Sequence, residues 1–157
     1  MITRLVSGGQ TGVDRAALDV ALELGIPCGG WCPLGRKAED GPIPPRYPLR
    51  ETATDTYAER TELNVRDSDA TLIILHGSPA GGTRLTIEQA ILQKKPHLVV
   101  NLAQEVDPAI VHKWLDNQAV RVLNVAGPRE SEAPGIHGRT RSLLRQVFAL
   151  PGRITHV

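Results

Sequence analysis

The sequence predicts an α/β protein, with residues 1–157 forming a single doubly wound domain around a mostly parallel sheet of about five strands. Three observations lead to this class. Short apolar runs alternate with segments of helical period, which is typical of β-α units. Glycine-rich turns follow two of these runs and lead into helices. No linker, internal repeat or low-complexity tract divides the chain, whose length suits one domain that can bury a core.

The first half of the chain alternates strands and helices. In order, we expect a strand over 2–6, a helix over 13–24 that ends at Gly25, a strand over 26–30, a helix over 57–67 and a strand over 70–76. The run Thr71–Leu75 is continuously apolar, so it predicts a central strand that is buried on both faces.

The segment over residues 32–55 interrupts this pattern. It carries five prolines and shows neither a helical nor a strand period, which predicts a long structureless loop. A loop of that length inside a domain is either functional, as a lid or a wall of a ligand site, or flexible. The sequence leaves both readings open.

The second half continues the alternation. We expect a helix over 83–94, a strand over 97–102, a further helix, a strand over 121–125, a loop over 127–138 and a helix over 139–150. Helical spacing assigns these side chains to the inward faces of the three helices: Ile87, Ala90 and Ile91; Ile110, Val111, Trp114 and Leu115; and Leu143, Leu144, Val147 and Phe148.

Composition excludes several classes of function. The net charge of +1 and the 3% of aromatic residues argue against nucleic acid as a partner. No apolar run approaches the length that a bilayer needs, and no signal peptide is recognisable, so we predict a cytoplasmic protein without membrane association. Cys28 and Cys32 have neither redox nor zinc spacing, and the histidines are dispersed, so we predict reduced thiols and no protein-ligated metal.

The two glycine-rich turns carry the strongest functional signal. Their backbone amides, next to helix amino termini, are suited to bind a phosphate. If both turns lie at one edge of the sheet, they predict a single crevice for a phosphorylated ligand, whereas separately each could be only a tight turn. Neither has Walker or dinucleotide-binding spacing. The candidate binding residues are Gly8, Gly9, Gln10, Thr11, Gly12 and Asp14 in the first turn, and Gly81, Gly82, Thr83 and Thr86 in the second.

Three charged side chains near these turns have two readings each. Asp14 either complements the dipole of its helix or reaches a ribose hydroxyl. Arg60 is either a solvated helix residue or a clamp for phosphate. Glu88 either pairs with Arg84, four residues earlier, or serves proton transfer or sugar binding.

Four groups of motifs are distinctive: Ser7–Asp14, Gly41–Pro44 with Tyr47–Leu49, Asn64–Val65 with Ser68–Thr71, and Gly81–Thr83 with Thr86. Together they resemble those of a known family, the putative molybdenum carrier proteins. This is the YpsA-like, circularly permuted branch of the SLOG superfamily of Rossmann-like nucleotide-binding domains. The resemblance covers residues 1–150 and implies a Rossmann-like fold that binds a nucleotide, and the family name implies carriage of the molybdenum cofactor.

A second set of residues follows a recognisable order along the chain: Glu59–Thr61, Arg66–Ala70, Gly81–Gly82 and Glu88. This order is similar to that of a more distant family, the LONELY GUY phosphoribohydrolases. It implies that Arg60 and Glu88 form a catalytic pair for cleavage of the N-glycosidic bond of a nucleoside monophosphate, with Gly81, Gly82 and Thr83 as its phosphate nest. The second turn departs from that family, because Arg84 and Leu85 stand where it has glycine and threonine.

The leading prediction is a protein that binds a nucleotide, an ADP-ribose-like compound or a phosphorylated pterin, with the molybdenum cofactor or a nucleotide as bound ligand. The alternatives are a nucleoside 5′-monophosphate phosphoribohydrolase and a domain for regulatory protein contact. Related Rossmann-like enzymes are dimers or larger, so the resemblance also implies a homo-oligomer.

Overall fold

Seven strands form two parallel sheets in the computed structural model, which describes residues 1–79 and 81–151. In chain order they are β1 (Arg4–Val6), β2 (Cys28–Gly29), β3 (Trp31–Cys32), β4 (Arg50–Glu51), β5 (Ala70–Leu75), β6 (His97–Asn101) and β7 (Val122–Ala126). The main sheet has five parallel strands in the order β2-β1-β7-β5-β6, and β3 pairs with β4 in a small second sheet. The predicted α/β class with a five-stranded parallel sheet is confirmed.

Five helices connect the strands: α1 (Val13–Leu24), α2 (Tyr57–Arg66), α3 (Gly81–Leu92), α4 (Pro108–Asn117) and α5 (Ile136–Ala149). Their ends follow local chemistry. Gly25 terminates α1 with a φ of 69°, a left-handed conformation that glycine adopts readily. The side chains of Thr56 and Asp107 accept backbone hydrogen bonds at the starts of α2 and α4. No helix within the described residues is long and apolar enough to cross a bilayer.

The helices cover both faces of the main sheet. On one face, α1, α4 and α5 pack with alternate strand residues such as Leu5, Leu72 and Ile74 in the main core. Side chains of a strand alternate between faces, so Ile73 and Leu75 point to the other face, where α3 contacts β5 and packs against α2. The whole of β5 is buried, as expected for an interior strand, although the middle position belongs to β7.

Two predictions of inward side chains are wrong. Ile110 is 58% exposed, because the buried Val111 and Leu115 define the inner side of α4 and Ile110 lies about 100° around the helix from Val111. Ile91 is exposed for the same reason, since its neighbour Ala90 takes the inner position on α3. The amphipathic stripes are narrower than the sequence suggests.

The proline-rich segment is not the structureless loop that its sequence predicts. It contributes β3 and β4, and Arg36 organises much of the rest. The Arg36 guanidinium donates hydrogen bonds to four backbone carbonyls of the same segment, those of Ile43, Pro44, Tyr47 and Leu49, at 2.8–3.3 Å. The segment also forms a second, smaller hydrophobic cluster against α1, built from Leu18, Cys32, Ile43 and Tyr47. It is an ordered part of the fold.

We expect Arg36→Met to loosen this segment. Methionine keeps the aliphatic length of the side chain but removes the donors to four carbonyls, which should lower the free energy of unfolding by about 2–3 kcal/mol. Urea denaturation measures the change, and limited proteolysis should cut within residues 36–49. The control is Arg84→Met, since Arg84 is exposed on α3 and the change should alter stability by less than about 0.5 kcal/mol. Equal stability of the two variants would contradict the role of Arg36.

Candidate functional site

A cavity of about 210 Å³ lies at the carboxyl ends of three adjacent strands, β1, β7 and β5. The loops that follow these strands surround it, together with the start of α2. This is the edge at which parallel α/β sheets usually bind ligands. The lining residues are Gln10, Asp14, Tyr57, Arg60, Thr61, Gly81, Gly82, Thr83, Leu85, Thr86, Ala126, Gly127, Pro128, Arg129 and Glu132.

The three glycines of the first turn make close packing possible and do not line the cavity. A Cβ at Gly8 would meet the Arg60 side chain at 2.7 Å, and one at Gly9 would meet Ile43 at 2.8 Å. A Cβ at Gly12 would collide with the backbone of the loop after β7. Each glycine therefore lets another segment approach the turn.

Thr11 joins the loops beside the cavity. Its hydroxyl accepts a hydrogen bond from the Glu130 amide at 3.1 Å and contacts the Glu39 carboxylate. Glu39 also accepts bonds from the amide and hydroxyl of Ser131, and its own amide donates to the Gln10 side chain. Burial alone would raise the pKa of Glu39, but the bonds from Ser131 and Thr11 outweigh it and lower that pKa. Thr11 thus holds the wall of the site together.

The side chains of Arg60 and Asp14 lie next to each other in the lining of the cavity. Arg60 Nη2 lies 3.7 Å from Asp14 Oδ2, and both side chains are largely withdrawn from solvent, at 13% and 3% exposure. Arg60 Nη1 also donates to the Thr61 hydroxyl at 2.9 Å. The buried Arg60 Nε has no hydrogen-bond partner within the described residues. The guanidinium therefore retains capacity to donate to a ligand.

The Asp14 carboxyl has an unusual protonation equilibrium. Burial raises its pKa above the ordinary value, although the Arg60 guanidinium and the hydrogen bond from the Gln10 amide favour the charged form. A titratable group with a raised pKa in a cleft is a frequent property of functional sites. When protonated, Asp14 can donate a hydrogen bond into the cavity.

The pH dependence of stability should report this equilibrium. Because the pKa of Asp14 is raised on folding, its protonated form stabilises the fold at low pH, and that contribution is lost as pH rises from about 4 through the folded-state pKa. Asp14→Asn imitates the protonated form at every pH. Urea denaturation should show that the stability of the variant relative to the parent increases over this range. A relative stability that falls instead would mean that folded Asp14 is ionised.

The second turn brings the start of α3 into the lining of the cavity. Gly81, Gly82 and Thr83 line the cavity, and the first amides of a helix have no partner within the helix. A Cβ at Gly82 would meet no atom within 4 Å, so this backbone stands open. The Thr86 hydroxyl lies one turn further and donates to the Gly82 carbonyl at 3.0 Å.

Tyr57 lies among three cations at the rim. The Lys37 ammonium lies 4.9 Å from the centre of its ring, and the guanidinium carbons of Arg60 and Arg129 lie 5.4 and 5.8 Å away. Arg129 also pairs with Glu132 at 2.7 Å. The three cations come from different segments of the chain, and the positive charge at the rim favours an anionic ligand.

Arg60 lines the cavity, whereas Glu88 does not. Glu88 is exposed on α3, about 140° around the helix from Thr83, which faces the cavity. Sequence reasoning missed the contributions of Tyr57 and of the loop after β7, which brings Gly127, Arg129 and Glu132. That loop follows an apolar strand of a parallel sheet, and its place at the carboxyl end of that strand could have predicted that it lines the site.

The donor set of the site suits an oxyanion better than a bare cation. Amides, hydroxyls and guanidinium groups predominate around the two carboxylates. Across residues 1–79 and 81–151, no group of three or more histidine, cysteine, aspartate or glutamate side chains is arranged to hold a metal ion. Cys28 and Cys32 are both free thiols.

Comparison with known proteins agrees with this architecture. The model of the circularly permutated YpsA SLOG family matches residues 5–148. A crystal structure of a putative molybdenum carrier protein from Syntrophus aciditrophicus SB is similar, with a TM-score of 0.89 and 46% sequence identity over 95% of this chain and 96% of that chain. No match was found among curated proteins. Since the family model spans most of its length, the chain belongs to the circularly permuted YpsA branch of the SLOG family.

Proposed function

We propose that the protein binds a nucleotide or a related phosphorylated small molecule in the cavity between β1, β7 and β5. The observation that carries this proposal is that Arg60 and the open amino terminus of α3 line the same cavity. A guanidinium and a helix amino terminus are both strong donors to phosphate oxygens. The proposed phosphate site therefore uses Arg60, Gly81, Gly82 and Thr83.

The buried carboxyl of Asp14 supports a ligand that has hydroxyl groups beside its phosphate. An ionised Asp14 accepts hydrogen bonds from sugar hydroxyls, whereas a protonated one donates to a ligand oxygen. In its ionised state it would complement the ribose hydroxyls of a nucleotide rather than the phosphate itself. Tyr57 adds an aromatic surface at the rim, against which a base or pterin ring could pack.

A carrier role for molybdenum is the finer form of the proposal. It is supported by the name of the relative from Syntrophus aciditrophicus, a putative molybdenum carrier protein. Molybdate is a tetrahedral oxyanion like phosphate, and the molybdenum cofactor is a phosphorylated pterin. The same donors of Arg60 and α3 would hold either cargo, so binding would not need direct protein ligands to molybdenum.

The position of Glu88 supports binding over hydrolysis. A phosphoribohydrolase that used Arg60 and Glu88 as a pair would need both side chains at the reacting bond, but only Arg60 lines the cavity. Incubation with nucleoside monophosphates should therefore release no free base, as measured by chromatography. Base released by the parent and lost in Glu88→Gln would support the hydrolase instead.

Isothermal titration calorimetry with defined probes tests the binding proposal. The probes are nucleoside 5′-monophosphates, ADP-ribose, inorganic phosphate and sodium molybdate. We expect saturable binding of at least one phosphorylated compound that is weakened in Gly82→Val, because the new side chain would project into the open space beside the α3 amides. The matched control is Gly138→Val, which is likewise at an open position in the first turn of a helix and does not line the cavity. If no phosphorylated probe or oxyanion binds, the proposal is wrong.

We also propose that the protein self-associates through the β6 edge of the sheet. Val99 is exposed on β6, the edge strand. Ile91 and Leu92 are exposed at the end of α3, the helix that precedes β6, and Leu92 is 73% exposed. Large exposed apolar surfaces often mark interfaces. Analytical ultracentrifugation should show a dimer whose dissociation constant rises roughly thirtyfold or more in Leu92→Glu. The exposed Leu34→Glu is the control, and a monomeric parent would refute the interface.

A further inference from the structure

A second cavity, of about 400 Å³, lies apart from the first and shares none of its lining residues. It is bounded by β1, by the small sheet of β3 and β4, and by the end of α2. The lining residues are Arg4, Val6, Gly30, Trp31, Pro48, Leu49, Arg50, Asn64 and Asp67. The nucleotide site proposed above makes no use of this cavity.

Two arginines at this cavity have no anionic partner. Within the described residues, the side chains of Arg4 and Arg50 make neither an ion pair nor a hydrogen bond, and Arg50 only lies over the Trp31 ring at 5.1 Å. The one carboxylate of the lining, that of Asp67, is already engaged. It accepts hydrogen bonds from Arg66 at 2.8 and 3.0 Å and from Trp31 Nε1 at 2.8 Å. The cavity therefore has an excess of uncompensated positive charge.

The backbone of β2 makes room for one of these cations. A Cβ at Gly29 would collide with the Arg4 guanidinium and would lie 3.3 Å from the Pro48 carbonyl. Any residue other than glycine would push Arg4 away from this position. The absence of a side chain at Gly29 thus leaves room for the guanidinium beside the cavity.

The aromatic wall is fixed as well. The Trp31 backbone makes two hydrogen bonds to the buried Asn64 amide, at 2.7 and 3.0 Å, while its indole nitrogen donates to Asp67. Hydrogen bonds therefore fix both the backbone and the indole ring of Trp31, and the Arg50 guanidinium lies over that ring. A cation held over an aromatic ring can still donate hydrogen bonds to an anion through its N–H groups.

We propose that the second cavity is a binding site for a small oxyanion, a phosphate or carboxylate compound held between Arg4 and Arg50 beside Trp31. Guanidinium groups bind both kinds of oxyanion with paired hydrogen bonds, so the site is defined by charge and geometry rather than by one of the two groups. The inference stands independently of the nucleotide site, because no residue lines both cavities.

Tryptophan fluorescence provides the test. In a Trp114→Phe background, Trp31 is the one remaining tryptophan of the chain. The protein is titrated with sodium pyrophosphate and, separately, sodium malonate, at constant ionic strength. We expect a saturable change in Trp31 emission, with the dissociation constant raised roughly tenfold or more in Arg4→Gln and in Arg50→Gln. The preferred probe distinguishes a phosphate from a carboxylate ligand.

The exposed Arg84→Gln serves as the control, since it removes the same charge but lines neither cavity. It should leave the titration unchanged. Circular dichroism of each variant verifies that it is folded. The proposal is overturned if neither probe gives a saturable change up to about 10 mM, or if the folded Arg4 and Arg50 variants respond like the control.

Discussion

Arg60→Gln is expected to weaken binding of the phosphorylated ligand by roughly 10 to 100-fold, which corresponds to about 1.5–3 kcal/mol for hydrogen bonds to a charged group. Glutamine keeps part of the side-chain length but loses the positive charge and the paired donors. Isothermal titration calorimetry with the best nucleotide probe measures the change. Arg60→Lys should give an intermediate loss, because it keeps the charge without the planar fork.

The pairing of Arg60 with Asp14 calls for a further control. Removal of the guanidinium leaves a buried carboxyl without its cation, so Arg60→Gln alone could weaken the fold as well as the site. The double variant Asp14→Asn with Arg60→Gln replaces the ion pair by two neutral amides and should recover the stability but not the affinity. Parental affinity in a folded Arg60→Gln protein would remove Arg60 from the site.

The main sheet could be predicted because its strands leave strong local signals. Four of the five strands of the main sheet fall within a predicted strand, and β7 ends one residue beyond its predicted bound, at Ala126. The left-handed Gly25 marks the end of α1 as the sequence suggests. The exposed Ile110 shows the limit of this reasoning. Helical periodicity predicts which side of a helix faces the core. How much of that side the sheet covers depends on tertiary packing, which the periodicity does not determine.

The candidate site was predictable in part. Both glycine turns lie at the predicted edge, because the strands that they follow, β1 and β5, are both parallel to β7, which lies between them. Only Gln10 and Asp14 of the first turn line the cavity. Gly9 must lack a side chain because Ile43, which is far along the chain, packs against it. No pattern in the sequence around Gly9 shows this contact. The sequence also could not predict that Arg36 orders the proline-rich segment, because its hydrogen-bond acceptors are backbone carbonyls, which every residue possesses.

Gly127→Ala is expected to be the most destabilising single substitution considered for this fold. Gly127 follows β7 and lies close to both β5 and α1. An added Cβ would collide with the Ile74 carbonyl of β5 and lie 2.6 Å from Val13 Cγ2 of α1. Both neighbours belong to regular elements of the core and cannot move independently. We expect a loss of about 3 kcal/mol or more in the free energy of unfolding, measured by urea denaturation.

The same substitution at Gly138 should have the opposite sign. Gly138 lies within α5, and a Cβ there would meet no atom within 4 Å. Alanine has the higher helix propensity, so Gly138→Ala should stabilise the protein by about 0.5–1 kcal/mol. Both variants add one methyl group, so a difference between their free energies of unfolding reports the surroundings of the two positions rather than the kind of substitution. Near-parental stability of Gly127→Ala would mean that the loop after β7 can shift, and the wall of the cavity that Arg129 and Glu132 form would then be adaptable rather than fixed.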